Sequence, residues 1–524
     1  METNNELRIR RSLHELQDDY TKGNKKPLEY LMRAWKGIKE LPPDNPQSFF
    51  MLGGYHGEPF RGAGWGNNSY WGGYCNHGNI LFPTWHRVYL LKLEEALQSI
   101  PGCEEVMLPY WDETSDESLK NGIPWALTKK DFVLDGKTIP NPLRSFVFNK
   151  NITDFINGDN PNYSKPKGYE TVRYPLSGLV GSEDDRKKTE AHNAKFPDYD
   201  KNVESLNQNI VNWLTSYIVV KGKRIETNVK KKYTDCLDAP NYTVFSNTTS
   251  AQQWNADLDS SMMPIVSLES PHNSIHLAVG GFDVPDYDRS PIEGANGDMG
   301  ENDTAGLDPI FYFHHCFVDR VFWLWQKKHG FTDYLEVIAE YPGTNSVDWQ
   351  GPTPGTAPNS WLTLESSLDP FKKKDGKAYT SLDCINIETQ LGYTYSHGSL
   401  EESVEREVLQ QEQNIKVIRV SGINRAPIRG SFLVSAYINI GDKRYLAGTE
   451  AVLSRWSVQY CANCQTHLEV KAFIPLHGFR AELLENTQEQ IEVKIHTRDE
   501  LLPPQPPQGS DTTDEKKLFH VEVQ

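Results

Sequence analysis

The sequence predicts a mainly α domain built as a helical bundle, followed by a small antiparallel β domain. Three observations carry this. Apolar residues recur at helical spacing in two long segments, TWHRVYLLKLEEALQS and DPIFYFHHCFVDRVFWLWQKKHG. A shorter segment, SLESPHNSIHLAVGG, is bounded by residues that start and stop helices. Beyond residue 414 the apolar period changes from helical to two, the mark of half-buried strands.

In the first segment His86, Leu90, Leu93 and Leu97 share one helix face, Thr84 is placed to cap the start, and Glu94 and Glu95 are expected to face outward. In the short segment Ser270 suits the N-cap, Pro271 the first helical position, and Gly280-Gly281 the end. In the second long segment Asp308 caps the helix and Pro309 fills its first position. Phe311, His315, Val318, Phe322 and Trp325 form one stripe, and Ile310, Phe317, Val321 and Leu324 cover the other side, so this helix is expected to be buried all round. Residues 140–265 are rich in Asn, Tyr and Lys with weak periodicity, and read as long loops over the helical core.

The domain reading is therefore 1–396 helical, 397–413 a charged linker or surface helix, 414–500 the β domain, and 501–524 a polar, Pro-rich tail, extended or loosely docked. Within the β domain Phe432, Val434, Ala436, Ile438 and Ile440 alternate with more polar neighbours. So do Leu468, Val470 and Ala472, and then Ile491, Val493 and Ile495.

Charge and composition narrow the function classes. The chain of 524 residues has 54 Lys and Arg against 71 Asp and Glu, a net charge of −17. Such a surface argues against nucleic acid, whose phosphates call for a basic patch. No apolar run is long enough to span a membrane. Met1–Leu13 lacks the apolar core of a secretory signal, and seven cysteines with one close pair are no disulfide framework, so a reducing cytoplasm is the expected compartment.

Six histidines then form two triplets: His56, His77 and His86, and His272, His276 and His315. A lone histidine on an apolar helix face is usually a satisfied core residue. Here His77 lies nine residues before His86 in a Gly- and Asn-containing loop, and His272 and His276 lie four apart on one helix face. Each triplet suffices for one metal ion. Imidazole-only ligation leaves open positions and points to copper chemistry with oxygen rather than to structural zinc. Periodicity does not choose between His314 and His315. Asp319, four residues past His315, is placed either to fix the tautomer of a ligating ring or to pair with Arg320.

These residues resemble the tyrosinase family of type 3 copper proteins. The first signature spans His77, Phe82, Trp85, His86, Arg87, Leu90 and Glu94; the second spans Asp308-Pro309, Phe311, His315 and Asp319; Tyr393-Thr394-Tyr395 resembles the Tyr-x-Tyr that closes the family's catalytic domain. The resemblance implies two copper ions, the first on His56, His77 and His86 and the second on His272, His276 and His315. It selects His315 over His314. The implied reaction is O2-dependent ortho-hydroxylation of monophenols and oxidation of o-diphenols to o-quinones, with small phenols and O2 as partners; self-association into a homo-oligomer stays open.

The resemblance also implies roles around the pair. Cys75, two residues before His77, matches a fungal-type thioether to that imidazole; otherwise it is a small buried hydrophobe. Glu269 and Asn273 match residues that hold a water able to deprotonate a monophenol, which favours tyrosinase over catechol or o-aminophenol oxidase. Glu269 is otherwise a carboxylate favoured at a helix start. Cys461 and Cys464 form a CxxC in the β domain. A zinc site there lacks a second Cys pair, although His467 is near, and a redox site lacks a thioredoxin-like context. The resemblance implies instead a lid and copper-loading domain over a latent enzyme, with 445–460 as the candidate plug region. The competing classes are a haemocyanin-like O2 carrier and a zinc or di-iron helical enzyme. The last is disfavoured by the shortage of carboxylates at these spacings.

Overall fold

The computed structural model describes residues 7–57, 73–154, 163–180, 182–258, 264–286, 292, 294–346, 356–357, 359–405, 417–425, 428–454, 469–476, 491–498 and 519–523. Among them the α-helices are α1 Leu13–Thr21, α2 Lys26–Glu40, α3 Phe49–His56, α4 Phe82–Gln98, α5 Asp116–Asn121, α6 Glu183–Asn193, α7 Tyr199–Thr215, α8 Val229–Cys236, α9 Tyr242–Ser246, α10 Thr248–Ala256, α11 Glu269–Gly280, α12 Ile310–His329 and α13 Glu401–Glu405. No described helix is long and apolar enough to cross a membrane. Helices α4, α11 and α12 lie at the centre, and α12 is buried from Ile310 to Gln326, as its apolar circumference requires.

The stretch 140–265 departs from the expected long loops, since five of these helices lie in it. Their start signals are polar rather than apolar. Ser182, Asp198, Asn228, Asn241 and Asn247 each accept a backbone N–H of the first turn through the side chain, so the Asn-rich composition is partly a run of N-caps.

Three cap assignments shift. Helix α4 starts at Phe82, and Thr84 Oγ1 instead donates to the Leu81 carbonyl at 3.3 Å and meets Ser381 Oγ at 2.7 Å. Helix α11 starts at Glu269, which puts Pro271 third, and Ser270 Oγ donates to Glu450 at 3.0 Å. Asp308 lies just before Pro309, and its Oδ1 accepts the Ile310 N–H at 3.1 Å while both oxygens bind Arg173.

Glu94 does not face outward. It is buried, accepting Arg10 Nε at 2.9 Å and the Leu108 N–H at 2.8 Å, whereas Glu95 is exposed. Asp319 takes neither expected partner. Its oxygens accept from Arg87 Nε at 2.6 Å, Tyr393 OH at 2.7 Å and Tyr395 OH at 2.6 Å, while Arg320 pairs with Glu401. Tyr393–Tyr395 pairs in parallel with Arg8–Arg10, so both ends of the helical domain close on this one carboxylate.

Among the described residues the C-terminal region holds two three-stranded antiparallel sheets. Val417–Asn424 lies between Glu469–Pro475 and His520–Val523, and Phe432–Ile440 lies between Lys443–Val452 and Ile491–His496. The strand at 520–523 shows that the end of the polar tail belongs to the sheet. The expected alternation on 432–440 is only half the pattern, because the strand is buried on both faces to Ile438. Phe432, Val434, Ala436 and Ile438 face the inter-sheet core. Leu433 and Tyr437, with Leu446, Ala451 and Leu453, join the core of the helical domain. A second apolar face of this kind docks the β domain on the bundle. The CxxC at Cys461 and Cys464, together with residues 455–460 of the expected plug region, lies outside the described residues.

Candidate metal centre

Each triplet is assembled from separate elements. His56 ends α3, His77 sits in the loop before α4, and His86 lies in the first turns of α4. One nitrogen from each lies within 4.8 Å of the others. A second group joins His272, His276, His314 and His315 from α11 and α12 on the same criterion. All seven rings are at most 2% exposed. The two groups adjoin one another: His86 stacks on His315 with centroids 4.5 Å apart, and His77 lies 5.6 Å from His272.

Hydrogen bonds fix the tautomer of four of these rings. His56 Nδ1 meets the Asn302 carbonyl at 3.1 Å, His86 Nδ1 the Phe82 carbonyl at 2.8 Å, and His276 Nδ1 the Met299 carbonyl at 2.7 Å. A carbonyl only accepts, so each of these rings carries its proton on Nδ1 and leaves Nε2 with a lone pair. His272 Nδ1 is paired likewise with Asn273 Oδ1 at 3.0 Å. Burial above all pushes His86 down to about 3, and drives His272, His276 and His315 well below the ordinary imidazole range, with neighbouring imidazoles adding to the effect. At neutral pH these four rings are therefore uncharged, with a lone pair to offer a metal.

The arrangement suits a cation. His315 Nε2 lies 3.2 Å from both His272 Nε2 and His276 Nε2, and the buried His86 Nε2 has no hydrogen-bond partner. Converging lone pairs in a dry site repel unless a positive charge sits between them. A metal bonded at about 2.0–2.1 Å to three nitrogens spaces them by roughly 3.3–3.6 Å, close to what is found. No carboxylate is in either group. Imidazole-only sets suit copper or zinc and disfavour di-iron.

His314 and His315 differ in their surroundings. His315 Nε2 meets both α11 histidines, and its ring stacks on Phe311 at 3.9 Å. His314 turns Nδ1 toward Glu113 Oε1 at 2.5 Å, and Glu113 Oε2 accepts Tyr233 OH at 2.7 Å. Burial pushes the Glu113 carboxyl up and the His314 imidazole down, so this pair is neutral overall with one proton in a short bond.

Glu269 is buried beside the centre. Its Oε1 accepts the Gly78 N–H at 2.8 Å, and its Oε2 accepts the Thr248 N–H at 2.9 Å and hydroxyl at 3.0 Å. Burial raises it to about 7 against those hydrogen bonds. It thus ties the loop of His77 to α10 and α11. Cys75 is buried with Sγ beside the Asn302 side chain, 3.5 Å from Nδ2. Sequence reading missed Glu113, Tyr233 and the segment around Met299 and Asn302. The first two are distant in sequence, and the last acts through backbone carbonyls that no side-chain pattern reports.

Comparison with known proteins agrees with this site. The family model "Common central domain of tyrosinase" matches residues 46–328. Tyrosinase HcTyr2 of a Hahella species is 53% identical over 94% of this chain and 93% of that protein. A tyrosinase of Aspergillus oryzae is 46% identical over 91% of each. The solved structure of a tyrosinase from Burkholderia thailandensis at low pH superposes with a TM-score of 0.83 at 52% identity, covering 94% of this chain and 95% of that one. With both histidine groups inside the matched region and the likeness running through the β domain, this chain belongs to the tyrosinase family of copper-dependent phenol oxidases.

Proposed function

We propose that the chain holds two copper ions, one on His56, His77 and His86 and one on His272, His276 and His315. There it converts monophenols and o-diphenols to o-quinones. The observation that carries this is the approach of His315 Nε2 to within 3.2 Å of Nε2 of both His272 and His276, whose own protons are held on Nδ1. Bound copper supplies two-electron chemistry with O2: one oxygen atom enters the ring ortho to the phenol oxygen, the other leaves as water, and the diphenol gives up two electrons as the quinone.

The surrounding residues act on position and protons. Carbonyls of Phe82, Asn302 and Met299 keep three imidazoles in the metal-binding tautomer. Asn273 Oδ1 does the same for His272. Glu269 holds the His77 loop through Gly78. Its carboxyl near 7 suits it, with Asn273, to hold a water that takes the proton of an incoming monophenol. Cys75 Sγ is proposed to be joined to a ring carbon of His77, the S–H and C–H hydrogens and two electrons passing to O2, and this thioether would lock a loop-borne ligand. The β domain is proposed as a lid over a latent enzyme, with Cys461 and Cys464 delivering copper, since soft thiolates suit Cu(I).

The test is a copper-loaded assay with a tyrosine-like phenol, a catechol and an o-aminophenol, following quinone. Quinone from the monophenol supports tyrosinase. Turnover of the catechol or aminophenol alone moves the assignment to those oxidases, and reversible O2 binding without turnover moves it to an oxygen carrier.

A further inference from the structure

One short segment touches both histidine triplets. Residues 296–303 are buried throughout. The Asn302 carbonyl accepts from His56 of the first triplet, and the Met299 carbonyl accepts from His276 of the second. On one side the strap is anchored to the helical domain. Asp298 Oδ1 binds Lys165 Nζ at 2.8 Å, its Oδ2 accepts the Val172 N–H at 2.8 Å, and the Gly297 N–H donates to the Gly280 carbonyl at the end of α11 at 2.5 Å.

The other side is held by the β domain. Arg498, 3% exposed, donates from Nη1 to Asn296 Oδ1 at 3.0 Å and to Glu301 Oε1 at 3.3 Å, and from Nη2 to the Gly300 carbonyl. Its own carbonyl accepts the Gly294 N–H at 3.1 Å. Ser431 Oγ donates to the Gly300 carbonyl at 2.7 Å, and the Asn302 N–H reaches the Ser454 carbonyl at 3.4 Å. Glu301 is buried, and removing Arg498 strips its carboxylate of the guanidinium that faces it.

We propose that Arg498 is a positioning residue for both metal sites: it clamps the strap whose Asn302 and Met299 carbonyls orient His56 and His276, so copper affinity at both triplets depends on this clamp. The inference rests on the copper assignment above. Ligand orientation is sensitive to the groups behind it, and losing such a partner typically weakens metal binding about 10–100-fold. Arg498 acts one bond further out, so the lower end applies. The β domain thereby becomes part of the copper-binding structure as well as a cover.

The test compares full-length wild type, Arg498→Ala, Glu301→Gln and a control, Gln252→Ala. Gln252 donates to the Lys471 carbonyl at 2.7 Å, a docking contact away from the strap. The readouts are copper bound per chain and Cu(I) affinity by competition with a chromogenic chelator, with circular dichroism of the metal-free proteins reporting the fold. Arg498→Ala is expected to lose about tenfold in affinity at both sites, with Glu301→Gln losing less and Gln252→Ala matching wild type. Should Arg498→Ala fail to fold, the isosteric Glu301→Gln decides, because it weakens the same clamp. Wild-type affinity in the folded clamp variants, a loss confined to one triplet, or an equal loss in Gln252→Ala overturns the inference while the copper assignment stands. A wild-type chain that binds no copper overturns both.

Discussion

Asp319 accepts Arg87 Nε at 2.6 Å across α12 and α4, the helices that carry His315 and His86. Arg87 follows His86 directly, so this buried ion pair fixes the distance between one histidine of each triplet. Arg10 adds a second guanidinium 3.6 Å from the same carboxylate. Burial pushes the Asp319 carboxyl up, but Arg87 and Arg10 pull it down further, and its net position is below the ordinary value.

Asp319→Asn should cost about 3–5 kcal/mol at neutral pH, because the buried Arg87 guanidinium loses its counter-charge and Arg10 keeps only Glu94. The sign of the pH dependence follows from the lowered folded value. The stabilisation is full above the unfolded carboxyl's pKa of about 3.9 and is lost as pH falls through the lower folded one. Chemical denaturation should therefore show a constant gap between wild type and variant from about pH 5 to 8, closing under stronger acid. A gap that widens in acid contradicts the pairing.

Glu269→Gln separates clamp from base. If Glu269 takes part in deprotonating monophenols, their turnover should fall about 100-fold, with o-diphenol turnover falling far less. Steady-state rates on a matched phenol and catechol decide. Equal losses, with weakened copper binding, would leave Glu269 only its hydrogen bonds to Gly78 and Thr248.

The neighbouring histidines should behave differently. His315→Ala should abolish binding of one copper. His314→Ala should retain both ions with about 10–100-fold weaker affinity, because its Nδ1 is committed to Glu113. Metal content after dialysis distinguishes them, and loss of one copper in His314→Ala would exchange the assignments.

Docking of the β domain passes through Lys232, whose Nζ meets Glu450 at 3.1 Å and the Thr449 carbonyl at 2.8 Å. Lys232→Ala should loosen the lid and raise turnover of bulky phenols relative to small ones severalfold. Limited proteolysis checks the loosening; an unchanged ratio in a loosened variant would remove the lid reading.

What the sequence revealed depended on where the partners lie. Helical spacing placed His86, His272, His276 and the buried stripe of α12, since these rest on contacts within one turn or one helix. Glu94 and Asp319 were misread because their partners, Arg10, Tyr393 and Tyr395, come from the two ends of the helical domain. The helices between 140 and 265 announce themselves through caps such as Asn228 and Asn247 rather than apolar periodicity. The strap at Met299–Asn302 left no signal, because its work is done by carbonyl oxygens common to every residue.

The most direct measurement is copper content together with quinone formation in wild type, His86→Ala and His276→Ala. Two coppers per wild-type chain, one in each variant, and quinone only from wild type is the predicted result. Two coppers retained in either variant, or quinone formed at an undiminished rate by it, would contradict the dinuclear assignment.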